Sequence, residues 1–366
     1  PAGLRFDFND GARVVIPDFG QPLPWRVRIS DLRDDSTLAD VSLSSGVVRS
    51  PAKYFVRYGI TIWLNDVEVF AHRYDAREQA VLVQFPLAAL GDVLGWLPYA
   101  LRFAQVHGCR LACVVTPAVA SLFRDAYPDV DFVPQDKVER RKYYATYNVG
   151  LFFDDVARVK QPRDFRATGL HRTAAHILGV DDAEARAKTV LPDASRPMAA
   201  PYVCIAVQST AQCKYWNRPG GWDAVVAGLR ERGMQVVCID QKARHGKGDF
   251  WQSIPAGALP LTERARWLMH ASAFIGLSSG LSWLAWTMGT PTVLISGFTL
   301  PHNEFATPYR VSARDVCTGC WHDPALRFNH DDFHWCPRHR DTPRAFECTR
   351  EIRPEDVLAA LDRVPG

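Results

Sequence analysis

The sequence predicts an α/β protein in which two doubly wound domains follow a small β domain, with a cysteine-rich segment near the end of the chain. The main observation is that strand-like and helix-like segments alternate in two successive sets, which is typical of parallel sheets. The chain has 366 residues, enough for two or three domains. Hydrophobic residues make up 47% and charged residues 23%, which indicates an ordinary globular protein.

Residues 1–78 are predicted to form the β domain. Alternating apolar and polar residues indicate half-buried strands in LRFDF, ARVVI, WRVRI and YGITIWLNDVEVFAHRY, and Asn9-Asp10-Gly11 is a turn signal. No group of residues in this region points to chemistry.

Residues 79–195 and 196–366 are predicted to form the two doubly wound domains. The first contains the apolar strands AVLVQF and CRLACVVT, and the second contains YVCIAVQS, MQVVCID, AFIGL and PTVLIS. The segment LPDASRPMAAP resembles a linker between them. Two such domains in series predict a ligand cleft between them, at the carboxyl ends of their strands.

Charge and composition argue against several classes of protein. The net charge of +3 is too small to indicate a nucleic-acid-binding protein. No basic start precedes an apolar run, so no secretory leader is expected. Residues 271–301 carry no charge, but serines, glycines and a proline divide them, which favours a buried strand–helix–strand unit over a membrane span. Nine cysteines with the spacing of metal ligands fit a reducing cytoplasm.

Asp92 is the single acid in the apolar segment QFPLAALGDVLGWLPYALRF. It follows a strand and a loop where a helix is predicted to begin, so it is expected to be an N-cap, a role that stabilises a helix by about 1 kcal/mol. That helix end faces the predicted cleft, where a carboxylate can also take a proton from an attacking hydroxyl group. The two roles are compatible.

A second candidate site follows the strand AFIGL. Ser278, Ser279 and Gly280 precede a helix, and their backbone N–H groups and hydroxyls are predicted to bind phosphate. The segment matches neither G-x-G-x-x-G nor G-K-[ST], which argues against a dinucleotide dehydrogenase and a P-loop. Lys214, in the loop after the strand YVCIAVQS, is suited to neutralise a diphosphate. The alternatives are simple helix capping and a solvated lysine.

The cysteine-rich segment, residues 313–349, is predicted to bind a metal. Cys317 and Cys320 form C-x-x-C, and Cys336 and Cys348 complete a set of four thiols suited to a closed tetrahedral site. Sulfur ligation fits zinc or iron, and spacing does not separate them. A saturated site has no open position, so its role is predicted to be structural. The alternatives are that one histidine replaces a cysteine, or that the thiols are unligated; the candidate histidines are His322, His330, His334 and His339.

Together these segments resemble the bacterial heptosyltransferases, which have the two-domain GT-B fold. GDVLGWLP resembles their GD-x-[LV]-x-x-x-P segment, CKYWNRPGGW their K-x-W segment, and SSGLSWLAWTMGTPTVLISG their nucleotide-phosphate loop. The N-terminal β domain and the four-cysteine segment resemble one branch, the autotransporter heptosyltransferases, which modify serine hydroxyls of bacterial surface adhesins before export. The similarity spans nearly the whole chain.

The resemblance implies a donor, an acceptor and roles for the site residues. It implies ADP-glycero-manno-heptose as donor, a serine of an autotransporter adhesin as acceptor, Asp92 as general base and Lys214 as phosphate-binding lysine. Residues 278–280 match the donor-binding loop. It also implies iron held by the four cysteines and a homo-oligomer, a ring-like dodecamer. Thr299 and Pro301, just past the last predicted strand, are candidate nucleoside contacts.

One departure separates this chain from the lipopolysaccharide heptosyltransferases. Those enzymes tend to have Asp-Thr-Gly-x-x-His where this chain has Ser278-Ser279-Gly280-Leu281-Ser282-Trp283, so the loop lacks a carboxylate and an imidazole. This departure argues against the lipopolysaccharide enzymes themselves and favours transfer to protein. The mechanism we expect is a single displacement with Asp92 as general base, which inverts the anomeric configuration. The alternatives are a heptosyl- or hexosyltransferase acting on lipopolysaccharide or oligosaccharide, and, from another class, a metal-ribbon interaction or nucleic-acid-binding protein.

Overall fold

The computed structural model describes residues 3–86, 89–240, 252–253 and 259–365. Its strands are β1 Arg5–Asn9, β2 Arg13–Ile16, β3 Trp25–Asp31, β4 Ser36–Leu43, β5 Gly46–Arg49, β6 Tyr58–Leu64, β7 Val67–Arg73, β8 Ala80–Gln84, β9 Arg110–Val114, β10 Asp131–Val133, β11 Ala145–Asn148, β12 Tyr202–Ile205, β13 Gln235–Cys238, β14 Gln252–Ser253, β15 Ala273–Leu277, β16 Thr292–Ile295 and β17 Arg310–Val311. Its helices are α1 Leu90–His107, α2 Pro117–Phe123, α3 Phe165–Thr168, α4 Leu170–Leu178, α5 Gly221–Glu231, α6 Leu261–His270, α7 Gly280–Thr287, α8 Glu347–Arg350 and α9 Pro354–Leu361.

Two sheets confirm the predicted pair of α/β units; the second is parallel, and the first is parallel from β10 to β1 with β2 and β5 added antiparallel at its edge. The first sheet has the order β10-β9-β8-β11-β1-β2-β5, and the second has the order β14-β13-β12-β15-β16-β17. Strands such as β8 and β15 are buried along almost their whole length, as expected for strands covered on both faces. The uncharged stretch 271–301 contains β15, α7 and β16, so the predicted strand–helix–strand unit is confirmed. In the described part of the chain, no helix has both the length and the apolar character needed to cross a bilayer.

The N-terminal region is rich in β-structure, as predicted, but its strands serve two sheets. Strands β3, β4, β6 and β7 form a separate antiparallel sheet. Strand β1 instead pairs in parallel with β11, with Phe8 opposite Ala145, and carries β2 and β5 with it at the edge of the first sheet. The division after residue 78 stays a prediction, and three strands on its N-terminal side extend the sheet of the following domain.

The two α/β units share a core where they meet. Trp283 and Trp286 of α7 and the neighbouring Phe305 lie in the same buried cluster as Trp96 and Leu97 of α1. Burial of large aromatic side chains stabilises such a junction strongly. The shared core therefore holds the beginning of α1 against the second unit.

Candidate active site

Asp92 lies one turn inside α1 and not at its N-cap. The helix begins at Leu90 with Ala89 as N-cap, so the prediction that Asp92 is the N-cap is wrong by three positions. Its side chain still closes the helix end, because Oδ2 accepts a hydrogen bond of 2.7 Å from the N–H of Ala89. Burial raises the pKa of Asp92, while that hydrogen bond and the positive charge of Lys214 oppose the rise. The carboxylate is therefore more basic than an exposed aspartate.

Two glycines explain why the start of α1 meets the start of α7. A Cβ atom on Gly91 would lie 2.8 Å from Cδ1 of Trp283, and a Cβ on Gly280 would lie 3.0 Å from Cβ of Leu90. A side chain at position 91 would force Trp283 to move, and one at position 280 would be tight, so two glycines allow the helices to approach this closely. The approach brings Asp92 and the loop 278–280 to one junction.

Ser279 stands at the N-terminus of α7 with a free hydroxyl group. It is the N-cap residue, yet its side chain makes no capping hydrogen bond. Its Oγ is buried and has no hydrogen-bond partner among the described residues. The first N–H groups of a helix also lack intrahelical partners and carry the positive end of the helix dipole. The hydroxyl group of Ser279 and the first N–H groups of α7 are therefore suited to bind an anion. Ser279 does not act as a simple side-chain cap of the helix.

Ser278 differs from Ser279, because its hydroxyl is already used. Its Oγ donates a 2.6 Å hydrogen bond to Oε1 of Glu304, and Thr299 donates another of 2.6 Å to the same oxygen. Arg310 pairs with the second oxygen of Glu304 at 2.6 Å. The structure thus places Thr299 inside a buried network and Pro301 at the exposed surface, and their nucleoside contacts stay predictions.

Sequence reasoning missed Glu304 and gave it no role. Burial acts to raise its pKa, but the charge of Arg310 and the hydrogen bonds from Ser278 and Thr299 outweigh burial and hold the pKa below its usual value. The available signal was an acid directly before the apolar Phe305, with an arginine six residues further on.

Lys214, in the second α/β unit, is close enough for its positive charge to act on Asp92. It closes the short 3₁₀ turn Gln212–Lys214 after β12. Its Nζ lies 5.8 Å from the ring centre of Phe298, 5.9 Å from Phe328 and 6.0 Å from Trp321. Within the described chain, no carboxylate lies within ion-pair distance of this ammonium group. Lys214 is therefore a positive charge held by aromatic faces and left available for an anionic ligand.

The cysteine-rich segment packs directly behind this site. The N–H of Gly319 donates to the carbonyl of Gly297 at 2.9 Å, and a Cβ on Gly297 would lie 2.0 Å from the carbonyl oxygen of Cys348. Trp321, which follows Cys320, is one of the rings around Lys214. The segment thus forms part of the wall that holds the lysine.

Several potential metal ligands converge in this segment. Sγ of Cys317 and ligand atoms of His339 and Glu347 lie within 4.8 Å of one another. Burial is the main cause that raises the pKa of the Cys348 thiol. The charges of Cys320, Cys336 and Cys317 raise it further. Burial and the neighbouring Cys317 raise the pKa of Cys320 to about 12. The other three cysteines thus influence Cys348 through charge, but among the described residues the set of ligand atoms within 4.8 Å is Cys317, His339 and Glu347 and not the four predicted cysteines.

Two family descriptions match the chain. Residues 1–66 match the N-terminal domain of glycosyltransferase TibC, and residues 164–331 match glycosyltransferase family 9 (heptosyltransferase). The chain is 46% identical to the autotransporter heptosyltransferase TibC of Escherichia coli O78:H11 (strain H10407 / ETEC), across 100% of this chain and 90% of that protein. It is also 44% identical to the inactive autotransporter heptosyltransferase BimC of Burkholderia thailandensis (strain ATCC 700388 / DSM 13276 / CCUG 48851 / CIP 106301 / E264), across 100% of this chain and 86% of that protein.

A solved structure shows the same fold. The crystal structure of dodecameric iron-containing heptosyltransferase TibC in complex with ADP-D-beta-D-heptose superposes with a TM-score of 0.92 at 44% identity, covering 100% of this chain and 96% of that chain. The GT-B fold is confirmed, and similarity to glycosyltransferases over the whole length decides against a metal-ribbon or nucleic-acid-binding protein. Because an inactive relative is almost as similar, the roles of individual residues depend on the geometry of the site.

Proposed function

Since the chain belongs to the autotransporter heptosyltransferases, a group of glycosyltransferases, we propose that it transfers heptose from ADP-glycero-manno-heptose to serine hydroxyls of an autotransporter adhesin. The observation that carries this proposal is the convergence of Asp92, Lys214 and the N-terminus of α7 at one junction. A base, a cation and a set of free N–H donors are what transfer from a nucleotide diphosphate sugar needs. The ADP-heptose bound to the related TibC structure supports the choice of donor.

The proposed reaction is a single displacement. The serine oxygen forms a bond to the anomeric carbon while Asp92 takes the hydroxyl proton, and the bond from that carbon to the diphosphate oxygen breaks. The bonding electron pair leaves with ADP. Lys214 and the first N–H groups of α7 stabilise the charge that develops on the diphosphate, which is where preorganised donors contribute most. One displacement inverts the anomeric configuration.

The surroundings of Asp92 support its role as base. Burial raises its pKa towards the working pH, where a general base is most effective. Among the described residues, its carboxylate accepts one hydrogen bond, from Ala89. This leaves lone pairs of the carboxylate available to an acceptor hydroxyl.

Co-expression of the enzyme with an adhesin passenger domain tests the function. Mass spectrometry should find heptose on serine residues of the passenger, and no heptose on lipopolysaccharide. Heptose on lipid or oligosaccharide and none on protein would support the alternative acceptor class.

We also propose that Cys317, Cys320, Cys336 and Cys348 hold iron, with zinc as the alternative. Thiols are suitable donors, because half-buried thiols such as Cys320 and Cys348, whose pKa is raised, become stable thiolates when a cation compensates their charge. A saturated site supplies no catalysis; it fixes the segment that carries Trp321 against Lys214. The iron content of TibC supports the choice of metal.

Metal analysis of purified variants tests the ligands. Cys348→Ser should lose the metal, while Cys109→Ser, in the first α/β unit, should keep it. A site built on Cys317, His339 and Glu347 would instead lose the metal in His339→Ala and keep it in Cys348→Ser.

The assembly and the compartment complete the proposal. The dodecameric TibC structure supports a homo-oligomer, and light scattering of the purified protein would measure the subunit number. All nine cysteines are described and none forms a disulfide, which supports a reducing cytoplasm as the place of action.

A further inference from the structure

Glu304 is a buried carboxylate that has no role in the proposed mechanism. Its side chain is 1% exposed. Oε1 accepts hydrogen bonds from Ser278 and Thr299, both at 2.6 Å, and from Nδ2 of Asn303 at 3.3 Å. Oε2 pairs with Arg310 at 2.6 Å. All of these partners belong to the protein, so any influence of Glu304 on a ligand passes through one of them.

Ser278 is the partner at the edge of the donor-binding loop. A serine hydroxyl has one proton and two lone pairs, and the proton of Ser278 is donated to Glu304. Glu304 is ionised at neutral pH, because Arg310 and its hydroxyl partners overcome burial and lower its pKa, so it cannot donate in return. The direction of this hydrogen bond is therefore fixed, and the hydroxyl group of Ser278 has only lone pairs to offer a ligand.

The two serines of the loop consequently suit different parts of a nucleotide sugar. Phosphate oxygens accept hydrogen bonds and need donors, which the unpartnered Oγ of Ser279 and the first N–H groups of α7 provide. A sugar hydroxyl can donate, and Ser278 can accept.

We propose that Glu304 is a positioning residue that holds Ser278 as a hydrogen-bond acceptor for one hydroxyl group of the donor's sugar. The inference deepens the proposed function and rests on it. It differs from the sequence-based prediction, which assigned Ser278 to phosphate binding. Glu304 thus supplies a carboxylate to the loop from a later segment of the chain. The lipopolysaccharide enzymes tend to have an aspartate in the loop itself.

Calorimetry with two variants separates this role from a structural one. Ser278→Ala and Asn303→Ala each remove one donor to Oε1 of Glu304 and leave the ion pair with Arg310 intact. The dissociation constants of ADP and of ADP-heptose are measured for each metal-loaded protein, and their ratio gives the preference for the sugar nucleotide. Ser278→Ala should reduce that preference about tenfold without weakening ADP binding, the loss expected for one hydrogen bond. Asn303→Ala should keep the preference.

Donor analogues identify the hydroxyl group. In analogues of ADP-heptose that carry fluorine in place of one hydroxyl at a time, fluorine accepts but cannot donate. One analogue should bind the wild type about tenfold more weakly than ADP-heptose binds the wild type. The same analogue and ADP-heptose should bind Ser278→Ala with equal affinity. Glu304→Gln, which is neutral, should lose the same discrimination, and its thermal melting reports whether it folds.

Three results would overturn the inference. Equal losses of ADP and ADP-heptose binding in Ser278→Ala would assign Ser278 to the phosphates. An equal loss of preference in Asn303→Ala would make the network purely structural. If the wild type bound ADP but showed no added affinity for ADP-heptose, the proposed donor would fail, and the inference with it.

Discussion

The two carboxylates of the cleft, the partly buried Asp92 at the start of α1 and the buried Glu304 after β16, have opposite surroundings. Among the described residues, Asp92 accepts one hydrogen bond, and burial raises its pKa. Glu304 has an arginine and three hydrogen-bond donors; in spite of burial, Arg310, Ser278 and Thr299 lower its pKa below the usual value. Partners, more than burial, therefore decide whether a buried acid can take a proton or serves as a fixed charge.

Replacing Asp92 should give the largest effect on turnover. Asp92→Ala should lower the rate of heptose transfer about 10²- to 10⁴-fold, because the base is lost, while ADP-heptose binding changes little. Asp92→Asn is the matched control, since its amide oxygen still accepts from Ala89 but takes no proton. Transfer to a co-expressed passenger, followed by mass spectrometry, measures both variants. Near-normal turnover by Asp92→Asn would remove Asp92 from the mechanism.

Replacing Glu304 should affect stability more than any change at Asp92. Glu304→Ala leaves the largely buried Arg310 without its partner, which should lower the free energy of unfolding by about 3–5 kcal/mol. Urea unfolding measures the loss. Asp356→Ala, which breaks an exposed pair with Arg353, should cost only about 0–1 kcal/mol. Equal losses in the two variants would show that the Glu304 pair is no stronger than a surface pair.

The glycines that bring the two helix starts together offer a third test. Gly91→Ala should destabilise the protein by about 1–3 kcal/mol and reduce turnover, because the added Cβ lies 2.8 Å from Trp283. Gly95→Ala, one turn further along and 3.2 Å from the same ring, should be close to neutral, since a small shift accommodates it and alanine favours a helix. Unfolding and transfer assays on both variants measure the difference. Identical behaviour of the two variants would contradict the packing argument.

The pH dependence of stability should have opposite signs for the two acids. The pKa of Asp92 is higher in the folded than in the unfolded state. As pH rises from the unfolded to the folded pKa, Asp92 therefore lowers the free energy of unfolding. Asp92→Asn should remove this decrease. The pKa of Glu304 is lowered, so its contribution is present above its unfolded pKa and is lost as pH falls through its folded pKa. One proton changes stability by at most about 1.4 kcal/mol per pH unit. Urea unfolding of wild type and variants at several pH values checks the signs, and a shared sign would contradict the comparison.

The sequence predicted both α/β units because their buried strands are short apolar runs that need no tertiary information. It could not predict that β1 joins the first sheet beside β11, because the choice of a strand's partner depends on contacts distant in sequence. The helix start was misplaced for a local reason: neither Ala89 nor Leu90 is a usual capping residue, whereas Asp92 is.

The candidate site was predictable to a similar degree. Asp92, Lys214 and Ser279 stand near the strand and helix ends where a cleft was expected. Glu304 was missed because polar residues precede it, and its main partner, Arg310, becomes a neighbour only when the chain returns as β17. A buried ion pair of this kind leaves no periodic pattern in the sequence.

A crystal structure of this protein with bound ADP-heptose tests the central claim most directly. The account predicts that diphosphate oxygens lie within about 3.2 Å of Nζ of Lys214, Oγ of Ser279 and the first N–H groups of α7. The carboxylate of Asp92 should face the anomeric carbon from the side opposite the diphosphate. A sugar nucleotide bound away from α7, or an Asp92 carboxylate turned away from the sugar, would contradict it.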